Sequence, residues 1–346
     1  MTTSVSILVA VYNAAPYLKQ CLDSLLSQTL KDIQILCMDD CSTDDSWEIL
    51  QDYARRDTRV EIFQMPENSG QAKARNALIP HLRGKYVTFL DSDDWLSCNA
   101  LENCVKVFDE HDDADCVLLR LLQVDEKGGE VEYDRPIPPS LTGFEAFKLS
   151  LNWGIHGCYV ARRDFFEKWP YDDTCRAYSD DNSTRLHYYH SRRIYYAPDA
   201  RYFYRKNAQS TTQRISVSRY DYLRANTSMK RQLLDLQVSD EILNLYENHR
   251  WVNCVGLYMF YYQNRRLMTA EENCYGLQEI KSVWQSIEVK RLRPSNRYKL
   301  GYIPLKGSWT LFRIEEEIYF FLRSIKNRWK KHCPIIKKSY FCRMKS

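Results

Sequence analysis

No uninterrupted apolar run in the 346 residues is long enough to cross a bilayer, and no basic, apolar leader precedes the first β-type segment. Both absences predict a cytoplasmic protein. The 12 cysteines form no CxxC pair and follow no regular spacing, which argues against a disulfide framework or a zinc module. Cys21, Cys37 and Cys104 fall on core-like positions, as free thiols buried in a reducing compartment would. Excess charge is also missing: 49 basic and 45 acidic residues leave a net +4, too little to point to nucleic acid. The first strand is not followed by a Gly-rich basic loop. Val11-Tyr12-Asn13-Ala14 stands there instead, which excludes the phosphate loop expected of a nucleotidyltransferase.

What is present is a strand–helix alternation. Val5–Val11 is a continuous apolar, β-branched run of the kind buried in a parallel sheet. It ends at a turn with Pro16 at an early helical position, and Leu18, Cys21, Leu22, Leu25 and Leu26 then share one helical face. Ile33–Met38 predicts a second strand ending in Asp39-Asp40, with a helix from near Ser42 carrying Trp47, Ile49, Leu50 and Tyr53. Val60–Phe63 predicts a third strand, followed by Asn68-Ser69-Gly70 and a helix through Ala72, Ala74 and Ala77. Tyr86–Leu90 predicts a fourth. This series implies an α/β fold with a doubly wound, mostly parallel sheet, whose ligands gather beyond the carboxyl ends of the strands.

The fourth strand ends in Asp91-Ser92-Asp93-Asp94, three carboxylates within four residues. Such crowding behind a buried strand is costly without a cation, and oxygen ligands suit magnesium or manganese. Alone, the cluster fits equally a solvated acidic turn that caps the helix beginning near Asn99. Asp40 has two readings as well: an acceptor for a base imide or ribose hydroxyl, or a cap for the helix near Ser42.

Taken in order, Val9-Ala10-Val11-Tyr12-Asn13, Asp39-Asp40-Cys41-Ser42-Thr43-Asp44, Asn68-Ser69-Gly70 with Ala74-Arg75-Asn76, and Asp91-Ser92-Asp93-Asp94 resemble the signature of family 2 glycosyltransferases, of the bacterial surface-polysaccharide type. The resemblance covers roughly residues 4 to 210. It implies a GT-A fold, a mixed sheet flanked by helices, that binds a UDP-sugar with a divalent cation, Mn2+ or Mg2+. It further implies nucleotide contacts from Ala10, Tyr12, Asp40, Gly70, Arg75, Asp91 and Ser92, and metal ligation by Asp93 and Asp91, with Asp94 as the alternative. Cys41 stands where the family usually has Gly.

Inverting transfer requires a base to take the acceptor's proton as its hydroxyl attacks. The family's Glu-Asp pair is matched by Asp180-Asp181, which makes Asp181 the expected catalytic base and sets Asp180 where Glu is usual. A helix cap is the plainer role for either. Trp153, His156 and Asp180 are the candidates for acceptor or sugar contacts, together with Arg205 in Tyr202-Phe203-Tyr204-Arg205, which with Ser210-Thr211-Thr212 resembles the family's closing strand and loop. The resemblance thus predicts transfer to a hydroxyl of a glycan or lipid-linked glycan. The competing reading is a catalytically inactive nucleotide-sugar or carbohydrate-binding relative. Retention of both the acidic cluster and Asp181 speaks against it.

The expected organisation is a catalytic domain over 1–214, with a donor half of about 1–98 and an acceptor half of about 99–214, then a helical region over 215–346. Tyr220–Leu236, Ser239–Asn264 and Ala270–Ile287 carry helical spacing. The aromatic stripe Trp251, Tyr258, Tyr261 and Tyr262 suits carbohydrate, though helix packing is its commoner use. From Arg323 onward come Lys326, Arg328, Lys330, Lys331, Lys337, Lys338, Arg343 and Lys345, with no acid after Glu317. This basic tail predicts peripheral attachment to the inner face of an anionic membrane, where lipid-linked acceptors lie. A solvated tail or a packed helix would carry the same residues.

Overall fold

The computed structural model describes residues 3–133, 135–206 and 215–332, and divides into two compact units, Met1–Arg214 and Ile215–Ser346. Ser210–Thr212 and the tail beyond 332 lie outside the described residues.

The first unit is built on one mixed sheet. Its strands are β1 (Val5–Val11), β2 (Ile33–Asp39), β3 (Val60–Gln64), β4 (Tyr86–Phe89), β5 (Trp95–Leu96), β6 (Ala114–Val124), β7 (Glu130–Glu132), β8 (Ser140–Thr142), β9 (Tyr159–Arg162) and β10 (Arg193–Arg205). Its helices are α1 (Ala15–Leu26), α2 (Ser46–Arg56), α3 (Gln71–Leu78), α4 (Ala100–Glu110), α5 (Gly143–Ser150), α6 (Arg163–Lys168) and α7 (Asp180–His190). The main strand order is β3-β2-β1-β4-β9-β6-β10-β5. β3, β2, β1 and β4 run parallel, as do β6 and β10, whereas β9 runs antiparallel between β4 and β6.

Local chemistry explains this order. Every residue of β1 and β2 is buried, because helices cover both faces of these central strands. α1 turns Leu18, Cys21, Leu22 and Leu25 inward, and α3 packs Ala72, Ala74 and Leu78 on the opposite face. The entry to β4 requires Gly84, where a Cβ would sit 2.5 Å from the Ser6 amide nitrogen and 2.7 Å from the Tyr86 carbonyl. α2 begins at Ser46 rather than near Ser42, because residues 42–44 are occupied in binding the loop after β1. No disulfide links the described cysteines, and Cys21, Cys37 and Cys104 are buried.

The second unit is helical: α8 (Asp221–Asp235), α9 (Asp240–Asn264), α10 (Ala270–Ser286), α11 (Pro294–Arg297) and α12 (Trp309–His332). Trp251, Tyr258 and Tyr261 of α9 are buried in its core with Trp284 and Phe312, so this part of the aromatic stripe packs helix on helix. Among the described residues no helix is long and apolar enough to cross a membrane.

Candidate active site

The carboxyl ends of β1, β2 and β4 open onto one side of the sheet, and their loops bind one another. Asn13 donates its amide to Ser42 Oγ (3.0 Å) and accepts from the Thr43 amide (2.8 Å). Ala14 and Ala15, at the start of α1, donate to Ser46 Oγ (2.9 Å) and Asp44 Oδ2 (3.0 Å). Residues at and just before the start of α2 therefore satisfy free amides at the start of α1. Tyr12 is 50% exposed, whereas the Ala10 side chain is packed in the core. Cys41 takes a left-handed φ of 62°, which accounts for glycine as the usual occupant.

Asp40 does not cap α2. Its Oδ1 accepts from the Ser69 amide (2.8 Å) and its Oδ2 from the Gly70 amide (2.7 Å), which pins the loop before α3. Gly70, at φ 93°, packs against Arg176, and Arg176 Nη2 donates to the Asn68 carbonyl at 2.5 Å. Asp40 thus lies under a bridge formed by two loops, with each oxygen retaining capacity for one further donor.

One turn into α3, Arg75 is only 1% exposed. It lies over the Phe89 ring at 4.2 Å and the Tyr171 ring at 5.2 Å. Its Nη2 donates to Asp91 Oδ1 (2.5 Å), while its Nη1 is 4.0 Å from Asp180 Oδ2. Gln71, one helical turn earlier on the same face, donates to the same Asp91 oxygen at 2.7 Å. Burial opposes the charge of Arg75, but Asp91, Tyr171 and Asp180 more than offset it, so its pKa is raised.

The acidic turn is asymmetric. The Asp94 amide donates to the Asp91 carbonyl (3.0 Å) and closes the turn, with Ser92 half-buried within it. Asp94 points inward and is 1% exposed; its oxygens accept from the Tyr202 hydroxyl and the Arg205 amide, each at 2.8 Å. Burial, then Asp91 and Asp93, hold its carboxyl well above the usual carboxylate range. Asp91 and Asp93 remain for a ligand. Burial and the neighbouring Asp91 push Asp93 up to about 6, against the pull of Arg205. No acid of this turn caps α4, whose N-cap Asn99 makes no side-chain cap bond.

Asp180 and Asp181 occupy the first turn of α7, where the helix macrodipole favours negative charge, and Ser179 provides no side-chain cap. Asp181 is pushed up to about 7, first by burial; Arg185, 3.6 Å away, draws it down and Asp180 adds to the rise. Asp180 is raised by burial, with Arg75 opposing and Asp91 reinforcing.

The other expected contacts are arranged differently. Trp153 is exposed at φ 57°, and its carbonyl accepts from the Tyr133 hydroxyl at 2.5 Å. His156 is buried; its Nδ1 accepts from the Cys158 amide (3.2 Å), and burial pushes its pKa down to about 4. Arg205 donates to the Asp93 carbonyl (2.9 Å) and to Gln20 Oε1 (2.5 Å), and lies between the Tyr17 and Trp95 rings. This bracing ties its guanidinium, which the sequence offers as an acceptor or sugar contact, to the wall of a cleft of about 440 Å3. Gln71 and Tyr202 were missed as members of the cluster. The spacing of Gln71 from Arg75 signals the first, whereas nothing local signals the second.

Residues 6–170 match the family model described as Glycosyl transferase family 2. The glycosyltransferase EpsJ of Bacillus subtilis is 30% identical over 224 residues, 62% of this chain and 64% of EpsJ. Chondroitin synthase of Pasteurella multocida is 40% identical over 104 residues, 30% of this chain and 11% of that protein. The matched stretch is therefore less than two thirds of either relative's length. Among solved structures, residues 1–349 of S. aureus TarS superpose with a TM-score of 0.71 at 20% identity, covering 91% of each chain. At that identity the likeness establishes the fold, a GT-A sheet flanked by helices with a helical region after it.

Proposed function

Because residues 6–170 belong to glycosyltransferase family 2, we propose that this protein transfers a sugar from a UDP-sugar to a hydroxyl of a glycan or lipid-linked glycan in cell-surface polysaccharide synthesis. The observation that carries the reading is the buried Arg75, which contacts Asp91 of the acidic turn and approaches Asp180 at the head of α7. One guanidinium thereby joins the residues suited to a nucleotide diphosphate to those suited to an acceptor. TarS of S. aureus, whose fold this chain shares, has been solved with UDP-GlcNAc, which supports a UDP-sugar as the donor class.

In this reading Tyr12 lines the base, and Asp40 uses its remaining acceptor capacity on the base while its amide bonds hold the loop at Gly70. Asp91 and the Ser92 turn contact the ribose side. A hard divalent cation fits the oxygen donors of Asp91 and Asp93, although among the described residues no group of three His, Cys, Asp or Glu is arranged to hold a metal alone. A site of one or two carboxylates completed by phosphate oxygens is the usual arrangement for magnesium. Asp93, with Asp91, would hold it, and when bound it neutralises charge on the departing diphosphate. Asp94 keeps the turn in shape through Tyr202 and Arg205. Asp181 takes the acceptor proton, and its carboxyl near 7 matches a base working at neutral pH. In-line attack on the anomeric carbon then inverts its configuration. Asp180, steadied by Arg75, keeps that end of α7 aligned with the acidic turn.

The test is a thermal-shift panel of nucleotide sugars with and without manganese, followed by transfer assays with whichever donor stabilises the chain. Stabilisation by one UDP-sugar that depends on manganese is the expected result. Absence of any shift across the panel would overturn the reading. The expected peripheral membrane attachment is a separate matter of the helical unit.

A further inference from the structure

α12 is anchored along one side only. Phe312, Glu316 and Phe320 are buried in the helical unit. Glu317 accepts from the Tyr258 hydroxyl (2.8 Å) and from Arg265 (3.2 Å), and Arg313 donates to the same hydroxyl (3.0 Å). The opposite side carries Leu311, Ile314, Ile318, Phe321, Leu322 and Ile325, each 37–58% exposed. Their spacing sets them in a single stripe. A large apolar side chain exposed singly needs no explanation, but six in line on one helix do.

We propose that this stripe is a membrane-docking face, lying in the interface of an anionic bilayer while the cations that follow it bind lipid phosphates. Two observations select this occupant over a second copy of the chain. First, the stripe leads directly into Arg323, Lys326, Arg328, Lys330 and Lys331, and no acid follows Glu317 to the end of the chain. Second, the acids of α12 are already committed. Glu315 accepts from the Gly301 amide (2.8 Å), Glu316 is buried, and Glu317 holds Tyr258 and Arg265. Two copies packed along this stripe would bring cations together with no acid of α12 left to answer them, whereas anionic headgroups answer them all. The helix is not apolar enough to span, so it lies flat, with its apolar side at the acyl boundary. The proposal rests on the glycosyl-transfer reading only for the acceptor it implies, a lipid-linked glycan.

The full chain is sedimented with vesicles of phosphatidylglycerol in phosphatidylcholine and with vesicles of phosphatidylcholine alone. These contain no nucleotide sugar, so the result is independent of catalysis. Binding to the anionic vesicles alone, weakened by salt, is expected. Ile318→Ser with Phe321→Ser should bind roughly tenfold more weakly. Leu322→Ser with Ile325→Ser is a second variant in case the first loses its melting transition. Lys330→Gln with Lys331→Gln should flatten the salt dependence. Equal binding to both lipids, binding to neither, or wild-type binding by a folded stripe variant would overturn the proposal. So would a wild-type dimer that the stripe variants convert to monomer, because the face would then join two copies.

Discussion

Arg75 donates to Asp91 across 2.5 Å from a position with almost no solvent contact, so the most enclosed cation of the site is bound to its acidic turn before any ligand arrives. A buried guanidinium flanked by two aromatic rings is held in a narrow range of orientations. Asp91 is thereby fixed by β4 below and by α3 beside it.

Replacing Arg75 by Lys preserves the charge but loses the fork that serves Asp91 and faces Asp180 together. Transfer should fall by roughly a hundredfold, with the melting temperature nearly retained. Arg75→Ala should also cost about 3 kcal/mol of stability, the usual penalty for stranding one partner of a buried pair. Steady-state kinetics and denaturant melts of both variants separate the two effects.

Asp181→Asn should lower kcat by roughly 10^2–10^4 and leave the donor-induced thermal shift unchanged, because the acceptor base is not a donor contact. Loss of the donor shift in this variant would remove Asp181 from that role.

The same carboxyl sets a pH profile. Asp181 must be ionised to accept a proton, so kcat/KM should rise with pH through about 7 and then level off. Stability has the opposite sign. A carboxyl raised in the folded state binds more protons there than in the unfolded chain, so its contribution is greatest at low pH. That contribution is lost as pH climbs from the ordinary carboxylate range through about 7. Activity and thermal melts measured over the same pH series check both slopes.

Asp93 and Asp94 should separate cleanly despite being adjacent. Asp93→Asn is expected to abolish the manganese-dependent part of the thermal shift. Asp94→Asn should keep it, because Asp94 is turned inward onto Tyr202 and Arg205, which an amide of the same shape can still meet. Equal loss in both variants would mean that Asp94 belongs to the cation site.

Cys41→Gly relieves a left-handed residue, worth about 1–2 kcal/mol, and adds unfolded-chain entropy worth about 0.5–1 kcal/mol. The relief wins, so the melting temperature should rise by roughly 2 °C. Cys41→Val should lower it.

The first four strands were legible because central parallel strands are continuous apolar runs, and Val5–Val11 and Ile33–Met38 show no alternation. α8, α9 and α10 of the second unit were legible from spacing, whereas α12 was not read as a helix. β7 and β8 were not, since three-residue edge strands such as Glu130–Glu132 contain too little pattern. At the site, the residue types and their order were readable, but their orientations were not. Asp94 and Asp93 are neighbours of identical chemistry, and only Tyr202 and Arg205, more than a hundred residues later, turn one of them inward. Asp40 likewise finds its partners in a loop that reaches it only through folding. His156 illustrates a related limit: sequence offers a polar ring, and burial withdraws it from the surface.

The exchange of caps between the loops after β1 and β2 has a mechanical consequence. With Asp44 and Ser46 serving α1, and Asn13 serving Thr43, neither loop opens without breaking bonds in the other. The two βα units open as one cooperative piece. If the proposed function holds, the loops after β1 and β2 form a stiff wall beside the nucleotide, and any closing movement would come from elsewhere in the domain.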